Sequence, residues 1–130
     1  MIAVDASAIL ALVLKEADAG VFEQALALAG QSVMSPVNYW EAQVRAGAVF
    51  GEVGRQATRD VMANLGVEVG ALSATDAEAA ADAFARFGKG SGSGARLNLG
   101  DCFAYALAKS MREPLLCKGD DFSHTDVAIA

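Results

Sequence analysis

The chain has 130 residues, 54% apolar and 20% charged, with 16 Asp and Glu against 10 Lys and Arg and a net charge of −6. This length suits one domain, residues 1–130, built on a single core, and the negative balance excludes a broad cationic surface that coats nucleic acid. No apolar stretch reaches the roughly 18 residues of a membrane span and no cleavable leader precedes Ala3, so a cytoplasmic protein with no membrane association is expected.

Residues 2–5 read as a short buried strand running straight into a helix over 7–14. A polar joint at 15–18 precedes a second helix over 20–28, which Gly30 stops. Residues 32–35 form a second strand. Ser35 and Pro36 then start a helix, with Ser as cap and Pro in the first helical position, and this helix runs to about Phe50. Gly51 and Gly54 are expected to flank a loop before a helix over 55–65, which Gly66 ends ahead of a third strand at 67–69. Thr75-Asp76-Ala77-Glu78 fits a capping box for an Ala-rich helix ending at Phe87. The Gly- and Ser-rich segment 88–94 reads as a mobile loop. Asn98 caps a helix from Leu99 to about Arg112, Pro114 leads into a fourth strand over 115–118, and 127–129 is a candidate last strand. The segments between strands are too long for hairpins and suit helical crossovers. The expectation is an α/β fold with a parallel sheet of four to five strands flanked by helices, with ligands bound at the strands' carboxyl ends.

Acidic residues fall at those ends. Asp5 closes the first strand, and Asp120 and Asp121 follow the fourth. Glu41 lies within or beside an apolar arc of Val37, Trp40, Val44 and Ala48, and Asp101 stands in the first turn of its helix. Each has an ordinary reading: Asp5 as a helix cap with Ser7 as neighbouring hydroxyl, Glu41 as an i,i+4 partner of Arg45, Asp101 as a charge favourable to the helix dipole, and Asp120-Asp121 as a solvated loop. Brought together, the same acids repel one another unless a hard divalent cation offsets them. Cys102 and Cys117 read as reduced, partly buried small residues. Two cysteines and the lone His124 do not make a zinc site. No strained serine elbow accompanies His124, and no Gly-rich nucleotide loop follows the first strand.

The segments Ile2-Ala3-Val4-Asp5-Ala6-Ser7-Ala8-Ile9-Leu10, Met34-Ser35-Pro36 through Glu41, Leu97-Asn98-Leu99-Gly100-Asp101-Cys102-Phe103-Ala104-Tyr105-Ala106-Leu107-Ala108, and Pro114 to Asp126 occur in an order and spacing that cover nearly the whole chain. In these segments the chain resembles the PIN-domain ribonucleases, most closely the VapC-type toxins of bacterial toxin–antitoxin pairs. The resemblance implies a three-layer α/β/α fold and Mg²⁺ or Mn²⁺ held by Asp5 and Asp101. It implies that Glu41 and the Asp120-Asp121 segment complete an acidic pocket, and that the activity is endonucleolytic hydrolysis of RNA. It also implies a homodimer silenced in a hetero-oligomer by a VapB-type antitoxin. Lys118 and Arg45 are candidate phosphate contacts, and the 88–94 loop is a candidate flank of an RNA groove. The helices around Val13, Leu14, Val21 and Phe22 are a candidate antitoxin surface. A phosphate- or nucleic-acid-binding module without catalysis is the alternative. A signalling receiver domain ranks lower, because the second strand ends without an acid.

Overall fold

The computed structural model describes residues 1–130. Strand β1 (Ile2–Val4) is buried throughout, and its side chains alternate between two cores. Ile2 and Val4 face a core completed by α1 (Ala6–Val13), α2 (Ala19–Ala29), β2 (Ser32–Met34), α3 (Pro36–Phe50), α4 (Glu52–Asn64) and β3 (Val67–Val69). Ala3 faces the other, built on α5 (Ala74–Phe87), α6 (Leu99–Met111), Leu115 of β4 (Leu115–Leu116), and Phe122 from a 3-10 turn at Asp121–His124. The result is a four-stranded parallel sheet, ordered β3-β2-β1-β4, between two helical layers. The register pairs Ala3 with both Val33 and Leu115, which puts β1 in the middle. Because every strand runs the same way, the residues following Val4, Met34 and Leu116 emerge along one edge.

Several expected boundaries move. The capping box of α5 is made by Ser73 and Asp76, so the helix begins at Ala74, ahead of the expected Thr75 cap. Strand β4 is two residues long, and the candidate fifth strand is reduced to one bridge between Leu115 and Ile129. The 88–94 segment has bonds of its own: Lys89 N–H donates to the Leu97 carbonyl, and Ser91 Oγ donates to the Gly88 carbonyl.

Glycine 54 misled for a physical reason. It lies inside the first turn of α4, and α4 starts right after Gly51. An ideal Cβ at Gly54 would lie 2.2 Å from the Ala46 carbonyl oxygen. The residue is therefore glycine because α3 and α4 pack backbone against backbone. Burial on α3 also differs from expectation. Asn38, Ala42 and Ala46 face the core, whereas Trp40 (66% exposed), Val44 and Ala48 face outward. The tight approach to α4 admits only small side chains, so the larger apolar residues mark the outer face. Of the candidate partner surface, Val13 and Phe22 are core residues, Leu14 is half-buried and Val21 is exposed.

Gly54→Ala gains helix propensity but forces a methyl group into the Ala46 backbone. The expected outcome in urea denaturation is a net loss of about 1–2 kcal/mol.

Candidate active site

Asp5 occupies the turn from β1 into α1 and is 4% exposed. Its Oδ2 accepts from the Ser7 backbone N–H at 3.0 Å and from Ser7 Oγ at 2.5 Å. Ser7 Oγ in turn accepts from the Lys118 N–H at 2.9 Å, linking the ends of β1 and β4. Asp5 is thus a helix cap and a member of the site at once, because capping consumes only one of its oxygens. The other, Oδ1, meets Asn38 Nδ2 at 3.5 Å.

Asp101 divides its oxygens in a similar way. Its Oδ2 accepts from the Asn98 N–H at 3.0 Å while Asn98 Oδ1 accepts from the Asp101 N–H at 2.9 Å, a reciprocal cap that fixes the start of α6. That start is tied to α3 by Asn38 Nδ2, which donates to the Gly100 carbonyl at 3.0 Å. The Glu41 carboxylate rests against the same residue. An ideal Cβ at Gly100 would lie 2.8 Å from Glu41 Oε2 and 3.1 Å from Oε1, so the missing side chain is the space the carboxylate occupies.

Protonation of the three acids reflects this arrangement. Burial pushes Asp5 up, against the pull of the Ser7 hydrogen bonds. Burial raises Glu41 as well, and the charges of Asp5 and Asp101 push it further. Asp101 is raised to about 6, first by burial and then by Asp5 and Asp121, with the Asn98 N–H and Lys89 opposing. The charge of Asp121 is one of the two that raise Asp101. Asp120 precedes the 3-10 turn, and its carbonyl accepts from Ser123. None of these five acids forms an ion pair. The Glu41–Arg45 pair does not form, although Arg45 lowers both Asp5 and Glu41 from a distance. Lys118 Nζ pairs at the surface with Glu16 at 2.6 Å and Asp18 at 3.0 Å. Cys102 and Cys117 are pushed up to about 11 and about 12 by burial and then by the neighbouring acids, so both stay protonated thiols.

No three acid, thiol or imidazole groups close into a ready-made cage. A hard ion that keeps several waters and takes one or two carboxylates suits such an open oxygen set, and the free oxygens of Asp5 and Asp101 are the donors in place.

The PIN domain family model matches residues 2–128. The chain belongs to the PIN domain family. Its relatives include a protein named VapC ribonuclease Mb2780c from Mycobacterium bovis, 44% identical over 125 residues and 95% of each chain. Ribonuclease VapC30 of Mycobacterium tuberculosis is 41% identical over 96% of this chain and 95% of its own. The crystal structure of Mycobacterium tuberculosis VapC20, described as a Sarcin-Ricin loop cleaving toxin, superposes with a TM-score of 0.77 over 100% of this chain and 98% of that one. At 18% identity that likeness speaks for the fold. No helix of this PIN domain is long and apolar enough to cross a membrane.

Sequence reasoning missed Asn38 and Gly100. Asn38 shares a helix face with Ala42 and Ala46 at i,i+4 spacing, where an amide among alanines marks a buried polar contact. Gly100 sits in the first turn of a helix, which glycine disfavours, and that departure was the available signal.

The raised acids set a pH dependence. Each is harder to ionise folded than unfolded, so its stabilising contribution is full below the unfolded value and lost as pH rises through the folded one. For Asp101 the window runs from about 4 to about 6. Metal-free Asp101→Asn keeps an acceptor for the Asn98 N–H. Thermal unfolding should show it matching the parent near pH 4 and exceeding it by about 1–2 kcal/mol near pH 7.5, allowing for solvent screening of the half-open carboxylate.

Proposed function

We propose that this PIN domain is a divalent-metal-dependent endoribonuclease and the toxin of a type II toxin–antitoxin pair. The observation that carries the reading is the set of Asp5, Glu41 and Asp101. They come from three elements, burial raises all three, repulsion from neighbouring acids raises Glu41 and Asp101 further, and no cation is paired with any of them. The names of its relatives, VapC ribonucleases, support RNA as the substrate.

Asp5 and Asp101 would hold Mg²⁺ or Mn²⁺, which supplies charge stabilisation at the phosphate and lowers the pKa of a bound water. Around that ion the chain's own groups divide the work. Ser7 and the Asn98 N–H fix one oxygen of each ligand and leave the other for the ion. Glu41, whose raised pKa makes it a better base than a free carboxylate, orients the attacking water and accepts its proton. The water oxygen attacks phosphorus, the opposite P–O bond breaks, and the leaving oxygen takes up a proton. Asp121 is the fourth acid by its action on Asp101. Arg45 and Lys89 are exposed, form no ion pair and act on the acids, so they are the groups best placed to meet flanking phosphates. The reading brings with it a VapB-type antitoxin and self-association. With Val13 and Phe22 buried, the apolar surface open to a partner includes Val21 and Leu28 on α2 and the outer face of α3 and α4, at Trp40, Val44, Phe50 and Val53.

End-labelled RNA incubated with purified protein and Mg²⁺ tests this. Asp5→Asn and Asp101→Asn should each slow cleavage about a hundredfold or more while remaining folded, the scale of losing several kcal/mol of charge stabilisation. Gly100→Ala should fold normally, because the new methyl meets only the movable end of Glu41, yet cleave more slowly. RNA bound but left uncut by the parent protein at any Mg²⁺ or Mn²⁺ concentration would favour a binding module without catalysis.

A further inference from the structure

Asn38 is the one fully buried amide in the molecule that touches the acidic site, at 0% exposure. Its Nδ2 donates both to Asp5 Oδ1 and to the Gly100 carbonyl, joining the end of β1 to the start of α6. Its own Oδ1 has no hydrogen-bond partner at all. Burying an amide with an orphaned acceptor is unfavourable, and a leucine of similar size would fill the position without that cost. What leucine cannot do is donate to a carboxylate and a carbonyl together.

The placement shows what those donations achieve. Ser7 saturates Oδ2 of Asp5, so Oδ1 is the oxygen left to an ion, and Asn38 is the neighbour that directs it. Glu41 lies three residues further along α3, on nearly the same face, and its carboxylate packs on the Gly100 backbone that Asn38 holds. Asp101 follows Gly100 directly. One amide therefore sets the spacing among acids from three different elements.

We infer that Asn38 is a positioning residue: its amide orients Oδ1 of Asp5 and clamps α3 to the N-terminal turn of α6, so that Asp5 and Asp101 present to a single divalent cation with Glu41 beside it. The inference rests on the metal-nuclease reading.

Mn²⁺ binding followed by electron paramagnetic resonance tests it without reliance on turnover, alongside thermal unfolding of the metal-free protein and RNA cleavage across a Mn²⁺ series. Asn38→Leu should unfold near the parent temperature, yet bind Mn²⁺ about tenfold to a hundredfold more weakly, the effect of removing a group that orients a ligand, and require correspondingly more Mn²⁺ to cleave. Asn38→Ser should weaken Mn²⁺ binding similarly, since its short hydroxyl cannot reach both acceptors, and it carries the test if leucine is not tolerated. Ser73→Ala, which removes the cap of α5 and none of the contacts made by the acids, should bind Mn²⁺ as the parent does. Parent-like Mn²⁺ affinity in folded Asn38 variants would overturn the positioning role while leaving the nuclease reading intact. A parent protein that binds no Mn²⁺ would overturn both.

Discussion

Repulsion among buried and half-buried carboxylates, with no paired cation to offset it, is the constraint around which this edge of the sheet is organised. A parallel sheet delivers the ends of its strands to one place, and there Asp5, Glu41 and Asp101 converge with Asp121 beside them. Burial strengthens every interaction among them and makes each charge harder to hold. The metal-free fold tolerates this by spending hydrogen bonds on one oxygen of each aspartate, Ser7 on Asp5 and the Asn98 N–H on Asp101. The oxygens left over are the ones a cation would use. A site of this kind is unstable by design when empty of counter-charge, and the proposed ion would act on folding as well as on chemistry.

The scaffold around the acids is built to be close-fitting rather than strongly apolar. Small residues line the contacts: Ala42 and Ala46 on α3, Gly54 on α4, Gly100 on α6. They let helices approach until backbone meets backbone, and at Gly100 they let a carboxylate reach the first turn of a helix. Larger apolar side chains are displaced to the outer face of α3 and α4, where Trp40 and Val53 stand well exposed. The spacing of the acids and the surface character thus follow from one packing choice along α3.

Much of this was legible in the sequence. Alternating strand and helix segments indicated the parallel sheet, and the acids at strand ends and on apolar helices marked a candidate site, because charge in an apolar context needs a reason. The spacing of Ser7 from Asp5 pointed to the bond that forms. What escaped notice shares a cause: small and neutral residues act through geometry, which periodicity does not encode. Gly54 looked like a breaker and is a point of contact between helices. The arc of Trp40 and Val44 looked like a core face, because alanines carry little hydrophobic contrast. The pairing of Lys118 with Glu16 and Asp18 forms only once the chain folds. Asn38 carried no charge to draw attention.

Calorimetric titration of Mn²⁺ into the metal-free protein, in buffers of differing ionisation enthalpy, tests the central claim most directly. Near pH 6, where Asp101 is about half protonated, binding should release protons to the buffer. The release should fall as pH rises above the Asp101 value, and in Asp101→Asn the part of the release near pH 6 that Asp101 supplies should be lost. Binding with no proton release near pH 6, or no binding at any pH, would contradict the account of these carboxylates as a charge-starved cation site.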